Sequence, residues 1–86
     1  MKHFVFWAPE ADERLQSLVR GDDSDGRVVQ AVREIDFWLA RGPLDFGESR
    51  YDTVRVGFVA PIAVQFDVLA DPPTVIVLDI WRIGRD

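Results

Sequence analysis

Four arginines and one aspartate are the side chains with the most chemistry to offer in this chain. Arg50, Arg55, Arg82 and Arg85 can bind and stabilise an anion, but a guanidinium stays protonated at any ordinary pH and is a poor base. Each can equally be a solvated cation or the partner of Asp52, Asp67 or Asp79. Asp79 interrupts the apolar run Val75-Ile76-Val77-Leu78-Asp79-Ile80-Trp81. A carboxylate there must be paired, hydrogen-bonded or set in a pocket. Strict alternation puts it on one face with Val75, Val77, Trp81 and Ile83. The plain expectation is an ion pair with an arginine or a bond to tryptophan or backbone; the functional alternative is a general base with a raised pKa.

The remaining inventory is thin. His3 is the only histidine and Tyr51 the only tyrosine, and cysteine is absent, which excludes disulfides, thiolate nucleophiles and Cys-based zinc sites. No Ser-His-Asp set, no His/Asp/Glu spacing suited to a metal and no Gly-rich phosphate loop is present. Asp23-x-Asp25-Gly26 resembles part of a calcium loop, but its first ligand position would be Gly21 and its twelfth Val32. It is expected to be a capping turn. No metal or cofactor is implied.

The elements that must position these residues follow from periodicity. Lys2 to Trp7 reads as a strand, with Phe4 and Phe6 on one face and His3, Val5 and Trp7 on the other. Pro9 opens a helix whose first turn holds Glu10, Asp12 and Glu13, and whose stripe is Ala11, Leu15, Leu18 and Val19; Gly21 is expected to end it. Ser24 or Asp25 should cap a second helix, Arg27 to Arg41, which stops at Gly42-Pro43. Val28, Ala31, Val32, Ile35 and Leu39 form its core stripe, with Trp38 on the shoulder. Phe37 lies nearly opposite that stripe. Either the loop Leu44-Asp45-Phe46 folds back over it, or it is an exposed anchor for a partner. Pro43 to Asp52 reads as an irregular linker.

Thr53 to Arg82 then supplies three strands separated by proline-marked turns. Val54, Val56 and Phe58 alternate with Thr53, Arg55 and Gly57, and Ile62, Val64, Phe66 and Val68 with Ala63, Gln65 and Asp67. The third run is apolar on both faces apart from Asp79, as an interior strand should be. Strand, helix, helix and three strands predict one α+β domain over residues 1–86, two helices packed on one face of a mainly antiparallel sheet. Trp7, Trp38 and Trp81 are expected in the core.

With 48% hydrophobic residues, a core can be built without metal or disulfide. The formal charge is −5, and residues 1–43 carry six basic and eight acidic side chains, residues 44–86 four and seven. Neither half is basic, which disfavours nonspecific nucleic-acid binding. No run approaches a membrane span, so no membrane is expected and a cytoplasmic location is the default.

Five features together resemble the RelE/ParE superfamily of bacterial toxins, found in plasmid-stabilisation toxin–antitoxin systems. They are the opening strand followed by Trp7-Ala8-Pro9-Glu10-Ala11, the two amphipathic helices, the helix end Leu39-Ala40-Arg41-Gly42-Pro43-Leu44, the strand start Arg55-Val56-Gly57, and the closing Val75-Ile76-Val77-Leu78-Asp79-Ile80-Trp81-Arg82. Gly47-Glu48-Ser49-Arg50 also resembles a divergent plasmid-stabilisation-like branch. The resemblance implies one of two activities. RelE-type members cut messenger RNA on the ribosome with basic and aromatic side chains on the sheet and C-terminal segment. ParE-type members poison DNA gyrase by protein contact. An antitoxin segment wraps and restrains both.

The chain departs from the nuclease pattern. The Tyr-Arg pair that follows the Arg-Val-Gly start in RelE-type enzymes is absent from Phe58-Val59-Ala60-Pro61-Ile62, and the closing Trp81-Arg82-Ile83-Gly84-Arg85-Asp86 has neither His nor Tyr. Only Arg55 and Arg82 match, with Arg50 nearby. Attack by a ribose 2′-hydroxyl needs a base, an acid for the leaving oxygen and cations for the charged transition state. The cations exist, but the inventory of bases is poor, since neither His3 nor Tyr51 matches a catalytic position of the family. The expected function is therefore protein contact with an antitoxin or a target such as gyrase. Phe37, Tyr51 and Arg85 are the candidate contact residues. Two alternatives stand: a weak ribosome-dependent endoribonuclease using Arg50, Arg55, Arg82 or Asp79, and a non-toxic module that binds a partner or forms a homodimer.

Overall fold

Helix α2 (Arg27–Arg41) shows why these residues fold as they do. Val28, Ala31, Ile35 and Leu39 recur every three or four residues and are all buried, while Arg27, Arg33 and Arg41 face solvent. The backbone N–H of Gly42 returns to the carbonyl of Trp38 and ends the helix ahead of Pro43. Helix α1 (Pro9–Asp22) precedes it, and strand β1 (Phe4–Trp7) precedes both. After α2 come β2 (Glu48–Tyr51), β3 (Val54–Val59), β4 (Ile62–Ala70) and β5 (Pro73–Arg82). The computed structural model describes residues 2–22 and 26–83.

The five strands form one sheet in the order β1-β5-β4-β3-β2, with β1 parallel to β5 and the other neighbours antiparallel. The α+β expectation holds, with one strand more than expected. The stretch read as an irregular linker contains β2, whose four residues are all exposed. Glu-Ser-Arg-Tyr has no apolar alternation to announce it; pairing with β3 makes it a strand. Two smaller readings also change. Helix α1 runs through Gly21 to Asp22. The N-cap of α2 is Gly26, at φ 75° and with no side-chain cap, rather than Ser24 or Asp25; those two residues and Asp23 lie outside the described part of the chain.

The core lies between the helices and one sheet face. Ala11, Val28, Ala31, Ile35 and Leu39 meet Ile62, Val64, Phe66, Val68, Val75, Val77 and Ile80. Burying a side chain the size of Ile35 or Leu39 contributes about 1.5–3 kcal/mol. The three tryptophans are less central than expected: Trp7 and Trp81 are half-buried and Trp38 is exposed. Strand β3 inverts the simplest expectation. Its partners across the ladder, Phe66, Val64 and Ile62, belong to the core, so Arg55, Gly57 and Val59 face the helices while Val54, Val56 and Phe58 face away. An apolar face was traded for an arginine and a glycine.

Gly57 makes that trade workable. A Cβ on Gly57 would lie 2.6 Å from Cε2 of Phe46, because the Phe46 ring rests on the bare backbone there and stacks on Phe66 with centroids 5.8 Å apart. Phe46 is thus a core residue, and the loop it belongs to does not fold over Phe37. Phe37 instead stays 50% exposed, edge-on to Trp38 and beneath the Arg41 guanidinium, 4.8 Å from the ring centroid.

Between α2 and β1, the Trp7 indole N–H donates to the Asp36 carboxylate. Desolvation raises the Asp36 pKa above its ordinary 3.8, and the indole bond offsets only part of that rise. The folded state therefore holds the Asp36 proton more tightly than the unfolded chain does. The stabilisation from protonation is complete below the unfolded pKa and is lost as pH rises through the folded one.

Two expectations follow for solution measurements. Gly57→Ala should destabilise the domain in urea melts by about 1–3 kcal/mol through overpacking. The same change in a Phe46→Ala background should cost less, because the ring it collides with is gone. Asp36→Asn, which keeps an acceptor for Trp7, should gain on the parent at neutral pH, and its advantage should shrink towards roughly pH 3, where the aspartate is protonated in both states. An advantage that instead grew on acidification would contradict the desolvation argument.

Candidate functional site

Arg55 is held by the loop that leads into β2. Its Nη2 donates to the carbonyls of Leu44 at 3.1 Å and Gly47 at 3.0 Å, and its Nε to that of Phe46 at 3.4 Å. A loop pressed against a sheet must find donors for its carbonyls, and this one guanidinium supplies three. The group cannot also embrace a phosphate without releasing the loop. Gly47, at φ 77°, brings the chain so close to β3 that a Cβ would lie 2.3 Å from the Val56 carbonyl oxygen. Only glycine fits there.

Arg82 ends β5, exposed and opposite Ile62, which in turn faces Val59. Arg55 and Arg82 are thus four residues apart along the strands and two strands apart across them. That is a backbone separation of about 16 Å at ordinary strand spacings, and the Arg55 side chain is committed to the loop. Arg50 is the extra residue where β2 slips register, between the pairs Ser49–Arg55 and Tyr51–Val54. It lines an open pit of about 490 Å³ with Phe46, Gly47, Glu48, Val56 and Phe58. Arg85 lies outside the described residues.

Asp79 is half-exposed. Its Oδ1 sits 3.3 Å from Nε of Arg14 on α1 and accepts the backbone N–H of Ile80 at 2.8 Å. The expected shared face with Val75 and Val77 does not survive, because the ladder steps from Gln65–Asp79 to Phe66–Val77 and leaves Leu78 as an inserted residue. A one-residue bulge resets the alternation. Asp67 accepts a hydrogen bond from the Thr53 hydroxyl. His3 donates its backbone N–H to the Ala40 carbonyl, and its Nδ1 is buried without a partner. It stands at the β1 edge, three strands away from the strand that carries Arg55. Base, acid and cations therefore do not converge on a shared point. Among the described residues no His, Cys, Asp and Glu cluster could hold a metal ion, and no helix is long and apolar enough to cross a membrane.

The open sheet face does carry apolar surface. On the sheet face away from the helices, Phe4 is 62% exposed, Phe6 58%, Tyr51 58% and Phe58 66%. At about 200 Å² per aromatic side chain, the four together expose about 500 Å², divided between Phe4 and Phe6 at one edge of the sheet and Tyr51 and Phe58 about 19 Å or more away at ordinary strand spacings. By register, Phe6, Ile76, Asp67 and Val54 form one row across this face, and Phe4, Thr74 and Leu69 the next. Of these aromatics only Tyr51 stood out in the sequence as a contact residue. The split of β1 into a Phe4/Phe6 face and a His3/Val5/Trp7 face was visible, but nothing in the alternation says which face looks outward.

No family model matches the chain, and no curated protein does. Among solved structures, a chain of the chromosomal ParDE TA (toxin–antitoxin) system from P. aeruginosa superposes with a TM-score of 0.71 at 19% sequence identity, over 96% of this chain and 98% of that one. At such identity the likeness is one of fold. Two helices against one face of a sheet closed by a parallel first strand are the fold that this chain shares with that ParDE chain.

Proposed function

We propose that this protein is the toxin-side member of a toxin–antitoxin pair and acts by protein contact on an antitoxin and on a target such as gyrase, not as a ribonuclease. The observation that carries this is the fate of Arg55. The arginine of the Arg-Val-Gly strand start gives three donors to its own loop, while the open sheet face offers aromatic surface. Charge-stabilised phosphodiester cleavage needs free cations and a proton acceptor held within hydrogen-bond reach of one another. Protein recognition needs an apolar patch with a few polar groups around it.

Expression in a bacterial host tests the proposal. Growth arrest relieved by co-expressing the protein encoded beside it is the expected result. The arrest should persist in Arg50→Ala and Arg82→Ala and weaken in Phe58→Ser. Arg55→Ala should lower thermal stability, since it leaves loop carbonyls short of donors. Site-specific cuts in mRNA of a translating extract, abolished by Arg82→Ala, would instead establish the endoribonuclease reading.

A further inference from the structure

The open sheet face is not electrically neutral at the end where β2 turns into β3 and β4 turns into β5. Asp67 lies in the row with Phe6 and Ile76, Asp52 sits in the first turn and Asp71 in the second. The backbone N–H of Val68 bonds to the Thr53 carbonyl, so the two turns project from the same end of adjacent strands. Asp52 and Asp71 are exposed and have no cationic partner among the described residues. Asp67 keeps acceptor capacity beyond its bond from Thr53. The basic residues nearest this end, Lys2 and Arg50, stand before one edge strand and on the other, with the carboxylates between them. Strand geometry places Asp52 about 8 Å from each of the other two and Asp67 about 13 Å from Asp71. They are too spread for a single ion, in keeping with the absence of a metal cluster, and Asp52 is close enough to the other two to repel them within a Debye length.

Beside these charges lie Phe4, Phe6 and Leu69, all exposed. An apolar floor with an unpaired acidic rim selects its ligand by charge complementarity. We infer that this end of the open face docks a basic segment of a protein partner, its apolar side chains on Phe4, Phe6 and Leu69 and its Lys or Arg groups on Asp52, Asp67 and Asp71. The inference rests on the protein-contact reading above and adds the sign of the partner's charge. A chain with formal charge −5 fits the acidic half of such a pair.

Peptides of about twelve residues serve as probes: one built from Lys and Leu, one with Glu in place of Lys, and one with Ser in place of Leu. Each is titrated into the isotope-labelled protein and followed by amide chemical shifts. The Lys–Leu peptide should bind, with shifts centred on Phe4, Phe6, Leu69 and Asp71. Its affinity should fall on going from about 50 to about 300 mM salt, and about five-fold in Asp52→Asn/Asp71→Asn. Phe6→Ser, at an exposed position that should not disturb folding, should weaken it similarly. The Glu–Leu and Lys–Ser peptides should bind poorly. Equal binding of the Glu–Leu peptide, shifts centred on α2, or an unchanged affinity in the double variant would each overturn the inference. So would concentration-dependent self-association in sedimentation that Phe6→Ser abolishes and the Lys–Leu peptide leaves intact, since a second copy would then own this face. If the peptide pattern holds and the bacterial test fails, only the toxin–antitoxin reading falls. If the bacterial test succeeds and the peptide pattern does not, only the basic-partner assignment falls.

Discussion

The contact between the Phe46 ring and the bare backbone of Gly57 sets the geometry of half the sheet. Because β3 offers no side chain at that point, the loop after α2 can lower Phe46 onto the strand and reach Phe66 behind it. Once the ring is seated, the carbonyls of Leu44, Phe46 and Gly47 are drawn down beside Arg55, which satisfies them. Gly47 then passes close to the Val56 carbonyl and delivers the chain into β2. The contacts depend on one another: hydrophobic burial holds the loop, an arginine satisfies its polar groups, and a glycine permits the close approach.

That dependence explains which features could be read from residue types. The bounds of α2 were legible because a strong 3.6-residue stripe runs into Gly42-Pro43, two independent signals for the same boundary. The meander was legible for the same reason, with β-branched alternation punctuated by proline. The β-α-α-β-β-β order read from the residues lacked only β2. By contrast, β2 has no intrinsic signature, and its existence is a property of its partner strand. The outward facing of Val54, Val56 and Phe58 depends on Gly57 accepting a ring from a distant loop. Asp79 left its expected row because one residue is inserted at Leu78, a register event that composition does not encode.

The site was partly legible. Arginines were visible as residue types, but whether a guanidinium is free or spent depends on which carbonyls the fold brings to it. Arg55 and Arg50 illustrate the difference, since the first is consumed by the loop and the second lines a pit. Phe37 was read correctly as lying off the core stripe, yet the cover proposed for it is turned inward, and an Arg41 guanidinium lies over its ring instead. The exposed phenylalanines of β1 and β3 escaped notice because apolar alternation is ordinarily read as burial. In a two-layer domain the helices cover only one sheet face, so alternation in its strands specifies two faces without naming the covered one.

The parallel pairing of β1 with β5 carries a consequence for how the domain comes into being. Phe4 faces Thr74 and Trp7 faces Val77, so β1 waits for β5 before it has any sheet neighbour. Helices and the β3–β4 hairpin can form from local contacts, but closure of the β1 edge spans nearly the whole described chain and brings a large loop-closure cost. On the ribosome, β1 therefore leaves the exit tunnel without a strand partner and remains so until β5 emerges. Until then the backbone of β1 is unpaired, and in that interval a chaperone or a co-synthesised partner has its best access to the strand.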